Sequence, residues 1–299
     1  MVLTHDVERA QGQDKCRPLA ELEMELGFRS SFNFVAEDYP VDRGLQRYLV
    51  ENGFEIGLHG LNHRGDMFSP VRRFLEEAPR INRYLREWEA VGFRAPSMYR
   101  DFQLLGLLEI RYDSSSFDTD PFEPLPRGLG TIFPQFIASN PQPVPSNLEP
   151  VTCNLQPVTC NLQPATCNLQ PATCNLHPPH GFIELPYTLP QDHTLFLILR
   201  EKDISIWKRK LDWIAEKGGM ALLNVHPDYM DMEEGRGNSR LSYPLRFYTE
   251  FLEYVRSSYD GTYWHALPRD VAEYCKRACI QPANAQLASC FSQPVTCNL

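Results

Sequence analysis

No stretch of this sequence approaches the roughly 20 consecutive apolar residues that a membrane-spanning helix needs, so bilayer insertion is not expected. Basic charge is in deficit: 29 Lys and Arg stand against 38 Asp and Glu, a net charge of −9. That balance removes bulk attraction to nucleic acid or to an anionic membrane surface. The amino end has neither a basic region nor an apolar segment of useful length, so no secretory signal is expected and a cytoplasmic location follows as the expectation. Cysteine is scarce where a disulfide scaffold would need it. Of nine, Cys153, Cys160, Cys167, Cys174 and Cys297 belong to copies of one short repeat, which leaves Cys16, Cys275, Cys279 and Cys290. Cys275 and Cys279 lack the two-residue gap of a zinc knuckle, and they read as free thiols on a helix.

Proline, by contrast, is abundant, with 25 residues. Pro150-Val151-Thr152-Cys153-Asn154-Leu155-Gln156 recurs with small changes at Pro157, Pro164 and Pro171, and Gln293 to Leu299 repeats the motif again. A proline in each unit forbids a continuous helix, so the period of seven is not a coiled-coil heptad. A low-complexity, disordered insertion over 141–179 and a repeat-containing tail over 281–299 are expected, within and after a main domain spanning 1–280.

Elsewhere short apolar runs alternate with amphipathic stretches, the pattern of an α/β protein with a largely parallel sheet. Strands are expected at Val2–Thr4, Ser31–Val35, Glu55–Leu58, Gly92–Arg94, Gly181–Leu185, Met220–Val225 and Tyr263–Ala266. Ser69-Pro70 opens a helix with an apolar stripe of Phe74, Ile81, Leu85 and Trp88. Asp203 caps a second, with Ile204, Trp207, Leu211 and Ile214 inward and Gly218-Gly219 as its stop, and a third begins at Pro244.

One carboxylate and two imidazoles form a common facial ligand set for a divalent metal. Asp6 follows the first apolar run, and His59 and His63 lie four residues apart, close enough to share one face of a turn or helix. Arg94 and His226 follow two further predicted strands, and Asp113 and His265 sit at or near strand ends. In barrels of parallel strands the carboxyl ends share one rim where catalytic groups gather.

Five motifs then carry a resemblance to the polysaccharide deacetylase family, whose members include chitooligosaccharide and peptidoglycan deacetylases. They are Thr4-His5-Asp6-Val7-Glu8, His59-Gly60-Leu61-Asn62-His63, Gly92-Phe93-Arg94-Ala95-Pro96, Tyr112-Asp113-Ser114-Ser115 and Leu223-Asn224-Val225-His226-Pro227. The resemblance implies a distorted (β/α)7-type barrel with a metal at the carboxyl ends of its strands. It implies one divalent cation, Zn2+ before Co2+, Mn2+ or Fe2+, held by Asp6, His59 and His63, with His226 as general acid and Arg94 orienting the catalytic carboxylate. The family usually has an aspartate where this chain has His5, which leaves two expectations open: His5 as base, or His5 behind a metal-bound hydroxide. A backbone donor near Tyr99 is the expected oxyanion partner, Asp113 is expected near substrate, Asp113 or Asp118 is expected as a partner of Arg94, and Asp228 is a candidate to orient His226. The implied activity is metal-dependent removal of N-acetyl groups from a sugar or polysaccharide. Two alternatives stand beside it: hydrolysis of a non-sugar amide on the same fold, and a catalytically impaired carbohydrate-binding remnant. The implied partner is a carbohydrate or small-molecule substrate, and the sequence is silent on oligomeric state.

Overall fold

The computed structural model describes residues 1–139, 180–233 and 241–280. The repeat insertion and the tail expected from sequence lie outside these residues. Eight strands form one curled sheet in the order β6-β7-β5-β4-β3-β2-β1-β8. Its members are β1 (Val2–Val7), β2 (Ser31–Phe34), β3 (Glu55–Leu58), β4 (Gly92–Phe93), β5 (Tyr112–Asp113), β6 (Gln135–Ala138), β7 (Gly181–Glu184) and β8 (Leu222–Val225). All neighbours pair in parallel except β6 with β7. Helices α1 (Ala10–Glu25), α2 (Arg43–Glu51), α3 (Val71–Glu87), α4 (Phe102–Leu105), α5 (Ser205–Lys217), α6 (Arg246–Tyr259) and α7 (Pro268–Ile280) connect and cover the strands. The expectation of an α/β fold with a distorted barrel of parallel strands is met.

Strand alternation sorts the side chains into two populations. On the convex side, Leu3 and Val7 of β1, Phe32 and Phe34 of β2 and Leu223 and Val225 of β8 join a core with Leu19, Trp207, Tyr248 and Phe251. Leu58, Phe93 and Phe182 join a second core with Phe74, Ile81 and Leu85 of α3 and Leu104 and Leu105 of α4. The concave side begins apolar, where Val2, Tyr112, Ile183 and Leu222 meet Val271 and Ala272 of α7. Toward the carboxyl ends it turns polar: Thr4 and Asp6 on β1, Asn33 on β2, Arg94 after β4 and Asn224 on β8 are all buried. A row of polar groups in a buried interior is stable only when each finds a partner, and these do.

Tyr263–Ala266 is not a strand, contrary to expectation. It is an irregular segment in which Ala266 N donates to Met1 O at 3.1 Å. The two-residue β5 and the antiparallel β6 were not expected. The helices signposted in sequence form, with shifted starts: α3 follows Pro70 with no side-chain cap from Ser69, and α6 begins at Arg246. Asp203 Oδ1 accepts from Ser205 N at 2.8 Å just ahead of α5, whose N-cap position is Ile204, and Gly218, at φ 66°, stops it.

Candidate metal centre

β1 projects Thr4, Asp6 and the following Glu8 to the concave side, and His5 to the other. Glu8 is buried at 6 % exposure, and its Oε1 lies 3.2 Å from His63 Nε2. His59 follows β3; its Nδ1 lies 3.0 Å from Arg94 O, which fixes the N–H there and leaves Nε2 as the nitrogen with a lone pair. Gly60, at φ 72°, makes the turn that follows, and a Cβ there would sit 2.7 Å from Pro96 Cγ. His63 N donates to Asp38 Oδ2 at 2.6 Å, so the backbone of the turn is anchored. One ligand atom each from Glu8, His59 and His63 lies within 4.8 Å of the other two. One carboxylate after β1 and two imidazoles from the turn after β3 suit a divalent cation with open positions for water and substrate.

Asp6, expected among the ligands, is held one turn of the pleat deeper. Its Oδ1 accepts from Asn33 Nδ2 at 2.9 Å and Arg94 Nη1 at 3.1 Å, and its Oδ2 from Asn224 Nδ2 at 2.8 Å. Asn33 can reach across because its neighbour on β3 is Gly57, where a Cβ would lie 2.0 Å from Asn33 Oδ1. Burial alone would raise the Asp6 pKa, but Arg94, His59, His226 and Asn33 outweigh it and hold the carboxyl well below the usual carboxylate range. Arg94 has no exposure; Nε and Nη2 donate to Ser114 O and Oγ, each at 2.7 Å, and Nη1 also reaches Asn224. The carboxylate that Arg94 orients is therefore Asp6.

His5 cannot reach this site. Its ring is on the convex side, fully buried, with Nε2 2.6 Å from Glu23 Oε1 and the ring 4.6 Å from that of Phe32. The expectation that His5 is a base, or stands just behind a metal-bound hydroxide, is corrected by the period of two in the strand.

His226, directly after β8, lies with Nε2 3.7 Å from Glu8 Oε1 and 3.9 Å from Asp6 Oδ2. Its partner is Asp192 and not the expected Asp228: Nδ1 is 2.7 Å from Asp192 Oδ1, and its backbone N donates to Asp192 Oδ2 at 2.8 Å. Burial disfavours the imidazolium, yet Asp192, Glu8 and Asp6 push the pKa up to about 10. Asp228 Oδ2 instead accepts from Glu8 N at 2.9 Å and so steadies the carboxylate of the ligand group. Tyr229 Oη donates to Glu8 Oε2 at 2.8 Å. Burial and the neighbouring His63 bring His59 down to about 4 against Asp6 and Glu8, which leaves a neutral imidazole at pH 7.

Two expected substrate contacts differ. Asp113 is fully buried on the convex side, its oxygens held by Ser115 N at 3.0 Å and Ser115 Oγ at 2.7 Å, so it does not face the site. Tyr99 is half-buried, its backbone N 3.4 Å from Pro96 O, and its ring leans on Gly65 in the loop after His63. His265 lies at the amino end of β1, bonded to Arg29 N and Met1 O. A cleft of about 330 Å3 lined by Glu8, Arg9, Ala10, Asp38, Tyr39 and His63 opens on the ligand group. A larger one, about 570 Å3, lies at the amino end of β5 among Arg111, Glu273, Lys276 and Arg277. The smaller cleft is the chemically equipped one, because the larger lacks any ligand set or oriented acid and base.

Glu8, Asp192 and the two asparagines were given no role in the sequence. Glu8 was within reach, since Thr4, Asp6 and Glu8 share one face of a strand; Asp192 sits in a π-helical approach with no periodic signal.

No protein-family model matches the chain, and a comparison with curated proteins finds no match. Solved structures do resemble it. A protein of Mycobacterium smegmatis described as a polysaccharide deacetylase is 17 % identical, covers 95 % of this chain and 92 % of its own, and superposes with a TM-score of 0.60. One from Pseudomonas aeruginosa PAO1 with the same description is 18 % identical, with 91 % and 74 % coverage and a TM-score of 0.55. The Puue allantoinase is 16 % identical, with 90 % and 74 % coverage and a TM-score of 0.56. Fold, though not activity, is what such likenesses establish: the chain has the fold of solved polysaccharide deacetylases and of an allantoinase.

Proposed function

We propose that this chain is a metal-dependent hydrolase of the polysaccharide deacetylase family that removes N-acetyl groups from a carbohydrate. The observation that carries this is the meeting, at one rim of the sheet, of a Glu8–His59–His63 ligand group with an Arg94-oriented carboxylate, Asp6, and an Asp192-oriented imidazole, His226. Glu8, His59 and His63 would hold one divalent cation. When bound, such a cation polarises an amide carbonyl and lowers the pKa of water. Zn2+ fits the imidazole and carboxylate donors, as do Co2+, Mn2+ and Fe2+.

Asp6 is the base. It is ionised at any working pH, and Arg94, Asn33 and Asn224 fix its oxygens toward the concave side, where it takes the proton of the attacking water. His226 is the acid. Carrying its proton at neutral pH, it delivers it to the nitrogen as the C–N bond breaks, so water and amide become acetate and a free amine. Asp192 holds the ring by Nδ1 and keeps Nε2 turned toward Glu8 and Asp6. A second reading, hydrolysis of a non-sugar amide or ureide, draws support from the fold shared with an allantoinase. With Asp6 as the base, the exchange at His5 no longer argues for the remnant reading.

Metal analysis beside an acetate-release assay on N-acetylglucosamine oligomers tests the assignment. Glu8→Gln is expected to lose the metal, while Asp6→Asn keeps stoichiometric metal and loses turnover. Metal lost from Asp6→Asn and kept by Glu8→Gln would reverse the two roles, and turnover of a cyclic ureide without acetate release from the sugar would favour the second reading.

A further inference from the structure

Asp113 and Glu184 take no part in the chemistry above, yet they stand directly opposite each other on β5 and β7, on the convex side, both without exposure. Each holds the serine turn that follows β5. Asp113 accepts from Ser115 N and Oγ; Glu184 Oε1 accepts from Ser116 N at 2.9 Å and from Ser116 Oγ. Ser115 Oγ in turn accepts from Ala95 N at 2.7 Å, next to Arg94. Between them sits Ser114, whose carbonyl and hydroxyl oxygens are the two acceptors for Arg94 Nε and Nη2, and whose hydroxyl donates to Leu185 O at 2.8 Å. The remaining oxygen of the pair, Glu184 Oε2, has no donor of its own, and the register that pairs Asp113 with Glu184 sets the two carboxyls side by side on one face of the sheet.

Two ionised carboxylates in a buried site repel strongly, and one bound proton converts that repulsion into a hydrogen bond. We infer that Asp113 and Glu184 share one proton, and that this protonated pair is a positioning device for Asp6 acting through Ser114 and Arg94; the inference rests on Asp6 being the base proposed above. Burial raises both carboxyls; Asp113 pushes Glu184 up further, whereas the hydrogen bond with Glu184 pulls Asp113 back down, so the proton resides on the Glu184 side of the pair. The cations facing the pair are Arg94 from the β4 loop and Arg100 from the segment beyond it. α7 meets the sheet on the concave side through Val271 and Ala272. With the proton present, the turn 113–116 is pinned on both strands and Ser114 offers its two oxygens to the fork of the guanidinium. With the proton gone, the carboxylates separate, the turn shifts, and Asp6 loses its alignment.

The test follows the Arg94 Nε–H resonance of the 15N-labelled full chain, assigned by its loss in Arg94→Lys, from about pH 6 to about pH 10, beside the pH profile of acetate release. In the wild type an infrared carbonyl band of a protonated carboxylic acid is expected at neutral pH, and the Arg94 resonance moves as that band disappears. In Glu184→Gln the amide donates to Asp113 where the shared proton stood. Here the band component that titrates together with Arg94 should be gone, leaving that of Glu55, the resonance should be fixed across the range, and the alkaline limb of kcat should be displaced upward. Glu184→Ala leaves Ser116 unheld and should lower kcat by up to roughly a hundredfold, the order expected of a misplaced reacting group, at unchanged KM and metal content. Asp113→Asn provides the reciprocal exchange if the alanine variant does not fold. No acid band in the wild type, or an Arg94 titration identical in wild type and Glu184→Gln, overturns the inference. A wild type that releases no acetate while its Arg94 resonance still follows the pair overturns only the substrate assignment.

Discussion

At the level of single residues the site separates two tasks that a carboxylate can perform. Glu8 has its oxygens turned to His63 and Tyr229, Asp6 to Arg94 and two asparagines. The same logic divides Asp192 from Asp228: one holds the His226 ring, the other the Glu8 backbone. His226→Ala is therefore expected to keep its metal and lose roughly 10²–10⁴ in kcat, the usual contribution of a positioned proton donor. Asp192→Asn should lose roughly 10–100-fold, because it preserves shape but removes the charge that keeps His226 protonated. Kinetics alongside metal stoichiometry check both, and an unchanged kcat in Asp192→Asn would detach that residue from the reaction. Most of the proposed site could be read from the sequence, since Asp6, His59, His63, Arg94 and His226 were all singled out and lie together. The roles of Asp6 and His5 went astray for one reason: adjacent strand residues point to opposite faces, so His5 and Asp6 could not both line the pocket.

At the level of elements, strands with apolar runs were visible, β4 among them at Gly92–Arg94, whereas β5 has two residues and carries no period to detect. α1 was hidden by Gly12 and Pro18 within it and by the lack of a capping side chain at Arg9. β3 carries a further consequence. Glu55, at its head, is buried on the concave side, accepts from Tyr112 Oη at 2.9 Å and Arg269 N at 3.1 Å, and is pushed up to about 7 by burial. Its folded-state pKa lies above its ordinary value of 4.5, so the folded chain binds the extra proton between those pH values. The stability it lends is complete below about pH 4.5 and is lost as pH rises through about 7. The difference amounts to roughly 3 kcal/mol. Glu55→Gln should flatten that slope in urea unfolding curves measured across the window, and a slope equal to that of the wild type would assign it to other groups.

On the scale of the whole molecule, the sheet is apolar at the amino ends of its strands and ionised at the carboxyl ends, so the convex cores and α7 support a cluster of charges that the concave side alone would not hold together. Glu8, Asp6 and Asp192 set three carboxylates beside Arg94 and His226. A cation that binds the folded chain and not the unfolded one must raise its stability by RT ln(1 + [L]/Kd), about 2.7 kcal/mol at a hundred times Kd. For a chain of this size that corresponds to a rise in Tm of several degrees. Zn2+ added to chelator-treated protein is expected to raise Tm in the wild type and in Asp6→Asn, but not in Glu8→Gln or His63→Ala. Because the readout is stability and needs no substrate, it separates the metal site from the reaction. An equal rise in all four proteins would mean that the ion binds elsewhere, and no rise in any would remove the metal from the mechanism.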